Sequence, residues 1–155
     1  TYHKFPLYEA LQAARDLLKE SKQGQKNTVS VQLLTHSGSA FEVSFYKGGE
    51  NNPYKKFLHL LKTAIDDARY LSSVRQKVLK SHKIIEIAGK NRELMTNFFT
   101  NEFNEDVHNI KHQRDYLNSV RDYIHYLYTI NNKDVIKTTD AALRLIELYR
   151  QKGKV

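Results

Sequence analysis

The chain contains no cysteine. That one absence excludes disulfides, thiolate zinc sites and thiol catalysis together. It leaves the compartment open, because a cysteine-free domain is stable in either redox environment. Long apolar runs are also missing: none approaches the roughly eighteen residues that begin to span a bilayer. No secretory signal or lipidation motif is present. The glycine-rich stretch KGGENNPYKK lacks the GxxxxGK[ST] spacing of a phosphate loop, and no G-x-S-x-G elbow occurs. Prolines number two, Pro6 and Pro53, and both suit the first turn of a helix, where a missing N–H costs nothing. The first residue is Thr1 and not Met, which reads as a processed product or an excised domain.

What is present is a globular composition of 155 residues, 40% hydrophobic and 27% charged, enough for one domain with a real core. Basic residues outnumber acidic ones 25 to 17, a net charge of +8. Such an excess favours anionic partners: nucleic acid, acidic proteins, glycosaminoglycans or acidic lipid surfaces.

Periodicity sets the fold class. Residues 6–23 read as a helix with Leu7, Leu11, Ala14 and Leu18 on one face. Residues 28–46 differ from everything around them. Val29, Val31 and Leu33 alternate on one arm, Phe41, Val43 and Phe45 on the other, and His36-Ser37-Gly38-Ser39 supply turn chemistry. A lone hairpin is marginal in water, so this ribbon must lie against helices. Asn52 and Pro53 then open a long helix expected to run to His82 or Ala88. Its seam is Phe57, Leu61, Ala64, Ala68, Leu71, Val74 and Val78, and Gly89 stops it. A short helix spans Arg92 to Phe99. Residues 102–130 form the clearest periodic segment, with Leu117, Val120, Ile124 and Leu127 in a 3-4-3 seam suited to an inner bundle helix. A last helix runs from about Lys133 to Gln151 with Val135, Ala142, Ile146 and Tyr149 inward. The expectation is a single mainly α domain, 1–155, of four or five helices with one β-hairpin.

The candidate site residues follow from charge and aromatic spacing. Lys55, Lys62, Arg69 and Lys83 stand at multiples of seven along the expected long helix, with Lys56, Arg75, Lys77 and Lys80 beside them. Such a stripe tracks phosphates or meets an acidic patch, although an ordinary solvated helix face has the same look. Tyr116 and Tyr123 repeat at seven beside Arg114 and Arg121, with Tyr126 and Tyr128 close by. Tyrosine and arginine are the anchors of binding hot spots and also stack on bases. Half-buried core rings would give the same pattern.

Chemistry is harder to find. His108 and His112 have the i, i+4 spacing of a chelating pair, but HNIKH carries no glutamate after the first histidine, so no zinc protease site is read there. His36, Ser37 and Ser39 are adjacent in a turn, and adjacency does not orient a triad. A HEPN-type nuclease would pair an arginine with a later histidine, but only three residues separate Arg121 from His125, too few for that motif. No catalytic residue, cofactor or metal site is expected.

Asn, Lys, Ile and Tyr, all with AT-rich codons, make up 47 of the 155 residues. A cysteine-free helical stretch such as NEFNEDVHNIKHQRDYLNSVRDYIHYLYTINNKDVIK, in that composition, resembles the ectodomains of Borrelia-type outer-surface lipoproteins. The resemblance implies a non-enzymatic domain, displayed at the cell surface or secreted, that binds host proteins such as complement or matrix components. It assigns no residue a role. The leading expectation is therefore a binding domain that meets a protein with an acidic patch through a basic, tyrosine-rich helical surface. The alternative is a helical nucleic-acid-binding protein using the same basic face.

Overall fold

A computed structural model describes residues 6–23, 26–34, 40–103 and 111–152. Among the described residues there are seven helices and two strands: α1 Leu7–Gln23, β1 Thr28–Leu34, β2 Ala40–Tyr46, α2 Pro53–Thr63, α3 Ala68–Lys80, α4 His82–Ala88, α5 Arg92–Glu102, α6 Lys111–Thr129 and α7 Val135–Lys152. The chain is mainly helical with one antiparallel hairpin. No described helix is long and apolar enough to cross a membrane. Where the sequence reads as one domain, the backbone clusters into two compact units, Thr1–Lys55 and Lys56–Val155. The boundary falls in the first turn of α2, just after the polar stretch Gly48 to Pro53.

In the first unit the hairpin has the register its alternation demands. Val29 lies opposite Phe45, Val31 opposite Val43 and Leu33 opposite Phe41, so all six side chains share one face. Val43 and Phe45 are buried. The other face carries Ser30 opposite Ser44, with their hydroxyls 2.6 Å apart. Helix α1 lies against β1, and the Ser21 hydroxyl sits 2.5 Å from that of Ser30. Ala10, Ala13, Leu17 and Ser21 are its half-buried residues. The face expected to pack, Leu7, Leu11, Ala14 and Leu18, is exposed instead. Helix α1 meets the hairpin through Ala10, Ala13, Leu17 and Ser21, and Leu7, Leu11 and Leu18 are turned away. After β2, Asn52 closes the turn. Its Nδ2 donates to the carbonyls of Lys47 (3.0 Å) and Gly49 (2.8 Å), and its Oδ1 accepts from the Lys55 N–H (2.9 Å), which caps α2 as expected.

The second unit is a helical bundle in which α7 packs on α3 and α6, α6 on α5, and α5 on α4. Its core holds Leu71, Val74 and Val78 of α3, Val120, Ile124 and Leu127 of α6, and Ala142, Leu143 and Ile146 of α7. The 3-4-3 seam of α6 is thus buried as expected. Tyr149 is not: it is 65% exposed, close to the C-terminal end of α7. The expected long helix is three helices. It breaks after Thr63, where Asp67 starts α3 by accepting from the N–H groups of Arg69 (3.0 Å) and Tyr70 (3.1 Å). It breaks again at Ser81. Asp67 is a good N-cap wherever the chain turns, and the apolar seam hides the turn because Ala64 and Leu71 stay inside on either side of it. The ribbon turn His36-Ser37-Gly38-Ser39 lies outside the described residues.

Candidate functional site

The break of the long helix disperses the basic stripe. Lys55 and Lys62 belong to α2, Arg69 to α3 and Lys83 to α4. All four are exposed, but spacing by seven places residues on one face only within one helix, so they do not form the single stripe expected. Arg75 is half-buried and turned into the bundle. Its Nη1 donates to Asp140 Oδ1 (2.8 Å) and its Nε to Glu147 Oε1 (2.9 Å), which clasps α3 to α7. Burial alone would weaken the Arg75 cation, but its bonds to the two carboxylates outweigh that and hold it charged. Burial pushes the Glu147 carboxyl up, and Arg75 pulls against that shift. The sequence offers no signal for this cluster, because its members lie 65 and 72 residues apart.

The tyrosine ridge is also corrected. Tyr116 is 0% exposed and Tyr123 2% exposed, so neither can anchor a partner. Their spacing of seven is that of a seam, and the seam faces inward. The Tyr116 ring lies 6.4 Å from that of Tyr70. Burial pushes both the Tyr116 and Tyr123 phenols well above the ordinary range. Tyr126 and Tyr128 are half-buried, the first beneath the Lys56 ammonium, 5.5 Å from the ring centroid. His125 Nδ1 donates to the Gly89 carbonyl at 2.8 Å, joining α6 to the end of α4. His108 lies outside the described residues, as does the side chain of His112. Among the described residues no group of three or more His, Asp or Glu could hold a metal ion.

Two of the expected residues do come together. Helix α6 presents Arg114, Leu117, Asn118 and Arg121, at i, i+3, i+4 and i+7, along one side of a pocket of about 210 Å³. The opposite wall is Phe99 and Thr100 from α5, followed by Phe103 at its C-terminus. The Phe99 and Phe103 rings stack with centroids 5.3 Å apart. From behind, Lys77 fixes this wall: its ammonium lies 5.0 Å from the Phe103 centroid and donates to the Glu102 carbonyl at 2.5 Å. Arg121 donates through Nε and Nη2 to Asp122 Oδ1 at 3.0 and 2.9 Å, which orients its guanidinium. Arg114 is exposed at the rim. The result is a shallow recess with one aromatic wall and, across from it, two arginines about two helical turns apart. Such a recess can hold a carboxylate or phosphate by paired N–H···O bonds. Drug-sized ligands and cofactors occupy roughly 300–1,000 Å³, so this recess is scaled to one anionic side chain.

A second recess, about 450 Å³, lies where α3, α4 and the start of α7 meet, lined among others by Glu86, Asp134 and Asp140 together with Lys133 and Lys137. Its charges are of both signs, so it has no selective field.

The class defined so far is a mainly helical protein with a hairpin and an arginine-lined recess. Compared with family models, curated proteins and solved structures, the chain matches none.

Proposed function

We propose that this chain is a binding module without catalytic activity, and that its partner is a protein with an acidic patch. The observation that carries the reading is the recess between α5 and α6, where Arg114, Leu117 and Arg121 face a wall of Phe99 and Phe103. Its volume suits an aspartate or glutamate side chain inserted from a partner surface, with only the edges of the buried Phe99 and Phe103 rings lining it. Interface hot spots combine these features: arginine, aromatic area and a pocket. The net charge of +8 would steer an acidic partner toward the molecule. The compositional resemblance extends the proposal to a host protein met at the cell surface.

Nucleic-acid binding is the competing reading, supported by the exposed Lys55, Lys62, Arg69 and Lys83. Fluorescence anisotropy with a labelled glutamate-rich peptide and with labelled single- and double-stranded DNA and RNA separates the two. A protein-binding module loses affinity for the peptide by at least about tenfold on Arg114→Ala or Arg121→Ala, and little on Lys55→Ala or Lys62→Ala. A phosphate-tracking surface loses a little at every lysine, with the salt slope falling by about one unit each. Even losses with tight nucleic-acid binding at physiological salt would overturn the proposal.

A further inference from the structure

Helix α1 is amphipathic, yet it shows its larger apolar face to solvent. Leu7, Leu11 and Leu18 are 74%, 51% and 54% exposed, and Ala14 between them is exposed too. The helix is held to β1 by a different side, Ala10, Ala13, Leu17 and Ser21, centred about a quarter turn away. The exposed series runs 4-3-4, the spacing of a helix seam that meets another helix at a shallow angle. A strand or loop partner would not need that spacing.

Charge says which helix would fit. Along the free flank of the seam, one position past each turn, stand Tyr8, Arg15 and Lys22, all exposed. The other flank is Ala10 and Leu17, already turned to the hairpin. The acidic residues Glu9, Asp16 and Glu20 project from the opposite side of the helix. A helix laid in the seam would therefore meet positive charge along its one open border. A second copy of this chain fits badly. Antiparallel pairing sets Arg15 and Lys22 against the same residues of the other copy. Parallel pairing needs the flank that the hairpin occupies. We infer that α1 is a docking face for an acidic amphipathic helix of another protein, with leucine-type residues at 3-4 spacing bordered by glutamate or aspartate. This face is separate from the recess between α5 and α6, and neither proposal requires the other.

The test uses the full chain and two synthetic helical peptides with the same 4-3-4 leucine seam, one flanked by glutamates and one by lysines. Anisotropy is expected to show the glutamate peptide binding at least about tenfold tighter. The pair Leu11→Gln and Leu18→Gln is expected to abolish binding, and the pair Arg15→Glu and Lys22→Glu to reverse the preference. Arg114→Ala with Arg121→Ala is expected to leave this binding unchanged, which separates it from capture at the α5–α6 recess. All four α1 positions are exposed, so the variants are expected to melt as the parent does, and circular dichroism checks that. Equal binding of both peptides, binding of neither, or no reversal would overturn the inference. So would a concentration-dependent dimer in sedimentation that the leucine substitutions dissolve, because a second copy would then be the occupant.

Discussion

At the scale of single residues, the buried tyrosines have the clearest consequences. Among the described residues the Tyr116 and Tyr123 hydroxyls are buried and have no hydrogen-bond partner. A buried hydroxyl without a partner costs stability rather than adding it. Tyr123→Phe is therefore expected to hold or raise stability, by up to about 1 kcal/mol, in urea unfolding. The same burial sets an alkaline limit. The folded state raises these phenols above the roughly 10 they have when unfolded. The folded protein then holds protons that the unfolded chain releases, so their contribution is complete below pH ~10 and falls as pH rises further. Tyrosinate absorbance is expected to report the exposed tyrosines first, with Tyr116 and Tyr123 ionising together with unfolding. Ionisation of all ten in one smooth step while the circular dichroism stays native would contradict this.

Helix junctions decide matters at the scale of elements. Asp67 is the cap that turns one expected helix into α2 and α3. Asp67→Ala is expected to cost about 1 kcal/mol, read as a shift of the urea midpoint. Gly89 ends α4 under the ring of Tyr128, which occupies the space a β-carbon would need, with the Ile85 carbonyl also close. Its backbone is ordinary helix, so the glycine is required by packing and not by torsion angle. Gly89→Ala is expected to displace the ring and cost about 1–3 kcal/mol in the same measurement. Arg75 holds α3 to α7. Arg75→Ala would leave the buried Glu147 without its hydrogen-bonded cation and Asp140 with Arg144 alone, at a cost of about 1–3 kcal/mol. Arg75→Ala combined with Glu147→Gln is expected to recover part of that loss.

For the whole molecule, charge and partition matter most. A net charge of +8 makes association with an acidic partner fast at low salt and slower as salt rises, while dissociation changes less. Stopped-flow mixing with the glutamate-rich peptide is expected to show this split. Each compact unit carries one of the two proposed docking surfaces, the α1 seam in the first and the α5–α6 recess in the second.

Local chemistry made much of this legible in the amino-acid order alone. Alternation around residues 28–46 specified the hairpin and its register, because a one-residue slip would turn Val43 and Phe45 outward. The 3-4-3 seam specified the buried face of α6, and Asn52 the start of α2. The mainly α class followed from these patterns. What periodicity lacks is a sense of which apolar face finds a partner. Leu7, Leu11 and Leu18 carry as good a pattern as Val120, Ile124 and Leu127, yet the first set is exposed and the second buried. The same limit applied to the tyrosines, where a spacing of seven marked a ridge that turned out to be core. The clasp of Arg75 by Asp140 and Glu147 and the wall of Phe99 and Phe103 across from Arg114 and Arg121 join residues distant in sequence. Such contacts depend on how helices cross, and only the tertiary structure decides that.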